Sequence, residues 1–335
     1  MKVKKLLANI LISALALGTA KADEMMINGA GASFPAPVYQ MWSYLYTHSQ
    51  NAAKINYQSI GSGAGLNQLK SGTIDFAGSD NPLVLESQKE FAIRQFPMLT
   101  GGVVVITNIP NVKSGELKLD RKTLSRIFLG EIKNWNDAEI AKLNPDLKLP
   151  DLPITVVHRS DSSGTTFIFT NYLSKISKDW KENVGEGSSV KWPAGIGGQK
   201  NPGVCNNVKK ISGSVGYTEY TYALEAKLAC ATLENAEGKF VEPNLKTFSA
   251  AVESANWADA KGFYMVLTNQ GGESSYPIMG VTYILFPENC CAEKKSEMFK
   301  YFNWCFNSGK INAEKLGYVP IPESVVKIIR DEIFK

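Results

Sequence analysis

From residue 25 onward the chain alternates short strand-like and helix-like runs, and Gly and Ser gather at several of the switches between them. Residues 25–28, 54–60, 75–78, 152–158, 214–217, 228–233 and 277–286 read as strands, and 95–108 contains the apolar run 102–106. Helical spacing marks 36–48, with Val38, Met41, Trp42 and Leu45 on one side, and 62–70, with Leu66 and Leu69 inward. Further helices are expected over 120–129, 137–143, 165–173, 293–307 and 323–334. This alternation predicts an α/β fold with mostly parallel sheets flanked by helices. Residues 183–203, rich in Gly, Ser and Pro and without a period, read as a long loop.

The N-terminus adds a second constraint. Lys2, Lys4 and Lys5 precede an apolar stretch over 6–17 that is short for a bilayer span, and Ala20-Lys21-Ala22 puts small residues where a signal peptidase reads. Residues 1–22 are therefore expected to be a signal peptide cleaved after Ala22. No Cys sits near that point, which argues against a lipid anchor. The charge follows: 36 Lys and Arg against 32 Asp and Glu give +4, and the four lysines 2, 4, 5 and 21 account for all of it. A mature chain balanced at 32 of each sign lacks the basic surplus of a nucleic-acid binder.

Removing 22 of 335 residues leaves 313, more than a single core usually organises, so two domains are expected. No Pro/Ser-rich linker separates them. The apolar runs 102–106 and 281–286 are candidate strands that cross from one domain to the other. Residues 23–107 with 279–335 would form domain I and 108–278 domain II, with a ligand between them at helix N-termini. Five cysteines (205, 230, 290, 291, 305) lack C-x-x-C spacing and only two histidines exist, so neither a disulfide framework nor a zinc site is expected. Of the possible single bridges, Cys205–Cys230 is preferred, and Cys305 reads as a buried free thiol.

Four segments carry the chemistry. Gly29-Ala-Gly31-Ala-Ser33 follows a strand and precedes a helix, but Phe34 stands where a dinucleotide fingerprint needs a third glycine, and no acidic residue ends the next strand. Gly61-Ser62-Gly63 occupies a similar turn without the Gly-Lys-Ser/Thr of a nucleotide loop; a Ser62 there suits a helix cap, an anion donor, or both. Arg159 ends a strand, and Ser163, Gly164 and Thr165 open a helix. An arginine fork with N–H and hydroxyl donors suits an oxyanion, and Asp161 could hold the guanidinium; a plain surface Arg–Asp pair is the alternative. Ser79-Asp80 is the odd member. A carboxylate among anion-binding donors repels its ligand unless the ligand brings a proton, which phosphate has at neutral pH and sulfate has not. Neither His48 nor His158 has an orienting acid, and no nucleophile elbow with a partner histidine is present.

In this order and spacing the four segments resemble the phosphate-binding proteins of bacterial high-affinity phosphate ABC transporters. The likeness extends to Gly-Ala-Gly-Ala-Ser-Phe-Pro-Ala-Pro-Val-Tyr (29–39), Asn-Tyr-Gln-Ser-Ile-Gly-Ser (56–62), Ile-Phe-Leu-Gly-Glu-Ile-Lys-Asn-Trp (127–135), Asn-Val-Gly-Glu-Gly (183–187), Lys-Trp-Pro (191–193) and Leu-Thr-Asn-Gln (267–270). The resemblance implies a two-domain periplasmic-binding-protein fold of type II that closes on one inorganic phosphate and hands it to membrane permease subunits. It implies a periplasmic monomer without cofactor, and no enzyme. Carried over residue by residue, it places Ala32, Ser33, the Phe34 N–H, Ser62, Asp80, Arg159, Ser163, Gly164 and Thr165 around the ligand, with Asp161 bracing Arg159. The family often has Thr where this chain has Ser33, which keeps the hydroxyl. A protein for another tetrahedral oxyanion such as sulfate is the nearer rival, opposed by Asp80; a secreted phosphatase would need a nucleophile with its base or clustered metal ligands.

Overall fold

The protein is described by a computed structural model covering residues 25–49, 53–257 and 260–335. The expected signal segment and its cleavage point lie outside the described residues. The chain opens with β1 (Met26–Gly31), α1 (Ala36–Ser49), β2 (Lys54–Ser59), α2 (Ser62–Lys70), β3 (Phe76–Ser79), α3 (Leu85–Phe91) and β4 (Ile93–Thr107). Strand β1 lies between β2 and β3, parallel to both. Gly31 adopts φ +144° at the end of β1, and a Cβ there would fall 2.1 Å from the Gly78 carbonyl oxygen, so the close β1–β3 contact requires glycine.

The middle of the chain contributes β5 (Lys118–Leu119), α4 (Arg121–Phe128), α5 (Ala138–Leu143), β6 (Thr155–Arg159), α6 (Gly164–Ile176), α7 (Lys178–Asn183), β7 (Ile196–Gly198), α8 (Lys200–Lys210), β8 (Ser214–Glu219), α9 (Tyr220–Ala226) and β9 (Ala229–Cys230). Then come β10 (Thr232–Glu234), β11 (Phe240–Val241) and α10 (Leu245–Glu253). The C-terminal part holds β12 (Met279–Pro287), α11 (Ala292–Asn307), α12 (Lys310–Lys315), β13 (Val319–Pro320) and α13 (Glu323–Glu332). Asp120 and Asp137 cap α4 and α5 through their carboxylates, as Asp at a helix start should.

All the larger strands join one sheet in the order β2-β1-β3-β12-β4-β8-β6-β7, with β5, β10 and β11 forming a small second sheet. Pairing is parallel on both flanks (β2-β1-β3 and β8-β6-β7) and antiparallel through the centre. The centre is antiparallel because β12 returns against β3 and β4, and β8 runs back along β4. Strand β4 serves both flanks: residues 93–102 pair with β12 and residues 103–107 with β8. The α/β expectation holds, with parallel pairing confined to the flanks.

Two aromatic packings occupy the two flanks. Phe299 and Phe302 of α11 interlock with Phe76, Phe96, Phe286 and Phe334, while Phe169 stacks on Tyr217 at 4.3 Å and Trp192 on His158 at 4.9 Å. Such offset and edge contacts stabilise by about 0.5–1.5 kcal/mol each beyond area burial.

Two expectations need correction. The 183–203 loop is interrupted by β7 and by the first turn of α8, whose Asn201-Pro202 is a helix start and whose Val204, Cys205 and Val208 are buried. The preferred Cys205–Cys230 bridge is absent: all five thiols are free. Cys205 packs on Thr218 of β8, whereas Cys230 lies in β9 on the opposite edge of β4. Burial pushes both thiols up, Cys205 to about 11 and Cys230 to about 12, so neither is a ready thiolate.

Candidate anion-binding site

Four helix N-termini converge between the two flanks of the sheet. The turn before α1 brings Ser33 and Phe34, the start of α2 brings Ser62, the start of α6 brings Ser163, Gly164 and Thr165, and the first turn of α8 brings Asn201. Each N-terminus carries unpaired N–H groups and the positive end of the helix dipole. All seven residues are buried. The flanks touch directly here: Gly164 N–H donates to Ser62 Oγ at 3.1 Å and Gly63 N–H to the Ser162 carbonyl at 3.3 Å.

The hydroxyls share one logic. Ser33 Oγ accepts from Asn201 N–H at 3.4 Å, Ser62 Oγ from Gly164 N–H, Ser163 Oγ from Thr166 N–H at 3.1 Å, and Thr165 Oγ1 from the Asn201 amide at 3.5 Å. A hydroxyl whose oxygen holds a protein N–H still has its own proton to give. Each of the four hydroxyls thus keeps its proton for another acceptor. The sequence left open whether Ser62 merely caps its helix; Gly61 takes the cap position, and the Ser62 oxygen faces α6 and Asp80 instead.

Arg159 ends β6 with its side chain almost wholly buried. Asp161 grips it bidentately, Nε at 2.8 Å and Nη2 at 2.6 Å, and Nη1 donates to Asn201 Oδ1 at 3.2 Å. Three of the five guanidinium N–H groups are used, which leaves two. The surface-pair alternative is excluded by this burial. Partial burial would raise the Asp161 carboxyl, but Arg159 and the Lys200 N–H hold it below the usual carboxylate range. Lys200 takes φ +59° to deliver that N–H and to turn Asn201 inward.

Asp80 follows β3 and is 2% exposed. It caps no helix. Its Oδ1 is buried without a hydrogen-bond partner among the described residues. Burial pushes the carboxyl up to about 7, against the opposing pull of the nearby Thr282 hydroxyl and the Arg159 charge. The Thr282 hydroxyl lies close but makes no well-formed hydrogen bond, for its oxygen too is buried and unpartnered. Gly164 sits against this carboxylate: a Cβ there would lie 2.6 Å from Asp80 Oδ2 and 2.7 Å from Ser62 Oγ. Only glycine lets α6 approach so closely.

Every residue expected at the site is therefore close to another, with Ala32 alongside, held by its N–H to the Gly78 carbonyl and by Tyr57 on its own carbonyl. Asn201 was not expected. It sits in the region read as a loop, and the Asn-Pro pair before apolar 204, 205 and 208 is the sequence signal that marks it. His158 belongs to packing, stacked on Trp192 with Nδ1 on the Arg159 carbonyl. Among the described residues no group of three or more His, Cys, Asp or Glu side chains is placed to hold a metal ion. The arrangement gathers hydroxyl, N–H and guanidinium donors around one buried carboxylate, a set whose chemistry suits a small oxyanion that carries a proton.

Such a fold and site define a solute-binding protein. A family model described as "PBP superfamily domain" matches residues 15–304. The chain belongs to the PstS phosphate-binding protein family within that superfamily. It is 47% identical to the phosphate-binding protein PstS of Pasteurella multocida over 98% of this chain and 95% of the relative, and 48% identical to that of Xylella fastidiosa strain Temecula1 over 92% and 85%. Among solved structures it is similar to a high-affinity periplasmic phosphate-binding protein (PfluDING) bound with phosphate, with TM-score 0.73, 20% identity, and 93% and 94% of the two chains covered. This last likeness bears on the fold alone.

Proposed function

We propose that this chain captures inorganic phosphate between two hinged domains and delivers it to the permease of an ABC transporter. Asp80 carries the reading: a buried carboxylate with one oxygen left without a donor, set among oxyanion donors. Phosphate at neutral pH brings the proton that this oxygen accepts. Ser33, Ser62, Ser163 and Thr165 would give their hydroxyl protons, Phe34 and Thr165 their N–H groups, and Arg159 its two unused ones. Gly164 supplies the clearance and Asp161 holds the guanidinium. The names of the relatives, all binding proteins, support a transport role over an enzymatic one.

Domain I comprises residues 25–102 and 279–335 and domain II residues 103–278, five residues earlier than the expected boundary at 107, because residues 103–107 pair with β8 and β9 of the second flank. The change of partner along β4 between Gly102 and Val103 supports a strand hinge, and the Val103 N–H to Ile278 carbonyl bond supports the return crossing beside it. The protein works as a periplasmic monomer after cleavage behind Ala22. Calorimetric titration of the mature protein with phosphate and then sulfate tests the reading. Tight 1:1 phosphate binding with little salt dependence and at least 1,000-fold weaker sulfate binding is expected, since fixed buried donors are screened far less than surface charges. Equal affinities for the two anions would refute it.

A further inference from the structure

Two phenols grip consecutive carbonyls of the Ser33–Pro35 turn, and the site as described uses neither. Tyr222 of α9 donates to the Ser33 carbonyl at 2.7 Å, closer than the Ala36 N–H at 3.3 Å, and Tyr318 donates to the Phe34 carbonyl at 2.7 Å. The two bonds look equivalent, but the peptide units they hold are not. A trans peptide is planar, with its C=O and N–H pointing opposite ways. Fixing the Ser33 carbonyl therefore fixes the direction of the Phe34 N–H, which donates to no protein acceptor among the described residues. The Phe34 carbonyl shares its plane with the nitrogen of Pro35, which has no proton.

We infer that Tyr222 is a positioning residue for anion binding, aiming the Phe34 N–H at the ligand by holding the Ser33 carbonyl from behind. The inference rests on the phosphate reading above. Its support is rigid. Tyr222 lies in a helix that starts directly after β8, where the buried Glu219 carboxyl accepts the Thr221 N–H with both oxygens at 3.0 Å. The bond also spans the cleft, since α9 follows β8 on one flank and Ser33 follows β1 on the other. It forms only when the flanks meet, so donor alignment and closure occur together. Tyr318, bonded to Glu219 Oε2 at 3.1 Å as well as to Phe34, anchors the turn without aiming a donor.

The test compares Tyr222→Phe with Tyr318→Phe in the mature protein, reading phosphate affinity by calorimetry, phosphate release by stopped flow and ligand-free melting by calorimetry. Tyr222→Phe is expected to weaken phosphate binding about tenfold, mainly through faster release, with ligand-free melting near wild type, because the bond it removes belongs to the closed form. Tyr318→Phe is expected to lower melting, since it strips the buried Phe34 carbonyl of its donor and the buried Glu219 carboxyl of a partner, with a smaller effect on affinity. The Phe34 amide proton gives an independent readout: phosphate should move it downfield in the wild type and less so in Tyr222→Phe. Wild-type phosphate affinity in Tyr222→Phe, or losses in the two variants that both track melting, would overturn the inference alone. Failure of the wild-type protein to bind phosphate would overturn the phosphate reading and this inference with it.

Discussion

Replacing Asp80 by Asn should stabilise the ligand-free protein above neutral pH while erasing much of its selectivity. The carboxyl moves from an ordinary 3.8 to about 7 on burial. Between those values the folded state keeps a proton that the unfolded chain has released, so stability falls as pH rises from about 4 to about 7 and stays lower beyond. Three units at 1.36 kcal/mol each set an upper bound of about 4 kcal/mol for the cost of holding Asp80 ionised above pH 7. Asn carries no such cost, so the variant should melt higher than wild type at pH 8 and much closer to it at pH 5. Binding follows the same chemistry. Ionised Asp80 accepts the phosphate proton, a charge-assisted bond of about 1.5–3 kcal/mol, whereas sulfate leaves two oxygens in unrelieved repulsion. Sites built on one such bond reject the analogue lacking it by about 10⁴-fold. Asn donates to either anion, so Asp80→Asn should still bind phosphate and gain sulfate affinity. In the wild type, sulfate should bind better as pH falls through about 7, because protonated Asp80 becomes a donor. Titration calorimetry with both anions at pH 6 and 8, with melting curves on the same samples, reads all of this. An unchanged phosphate-to-sulfate ratio, or a variant that melts lower at pH 8, would refute the reasoning.

Arg159→Ala should weaken phosphate and sulfate alike by about 3 kcal/mol or more, since it removes two ligand donors and leaves Asp161 unpaired beside the cleft; a selective loss of one anion in calorimetry would contradict this. Asn201→Ala should cost phosphate affinity about tenfold, through a freed Arg159 Nη1 and a Thr165 hydroxyl no longer held by the side-chain amide, and an unaffected Kd would make Asn201 a packing residue. Gly164→Ala should reduce affinity by at least 100-fold while leaving far-ultraviolet dichroism unchanged, because its methyl meets Asp80 and Ser62 only on closure. Small-angle scattering should give a smaller radius of gyration with phosphate than without, and an identical profile in a sample shown to bind would rule out the hinge.

Much of the fold was legible because period and punctuation agree along most of the chain. Gly, Ser or Asp stand where α2, α4, α5 and α6 start, and apolar spacing fixes their inner faces. The site was legible as motifs but not as a network. That Ser62 reaches α6 rather than capping α2 depends on two flanks meeting, 102 residues apart in sequence. Asn201 was hidden because Lys200 takes a left-handed backbone that no local propensity favours; the bond from its N–H to Asp161 offsets the strain. The Cys205–Cys230 preference failed because sequence spacing says nothing about which edge of β4 each cysteine lies beside, Cys205 on α8 over β8 and Cys230 in β9. The roles of Tyr222 and Tyr318 depend on which peptide plane each phenol reaches, and no pattern of residue types encodes that.

Strand β12 has a consequence for the order in which the molecule can be made. It lies between β3 and β4, which are separated in sequence only by α3, yet it is itself supplied after all of β5 to β11. Until residues 279–287 arrive, the first flank has an open slot one strand wide, and its two bordering edges have no partner. The N-terminal third therefore cannot complete its sheet early, and such distant pairing makes folding slow. The last major strand to be made is the one that locks the sheet, so nearly all of the chain must be present before the first flank can close.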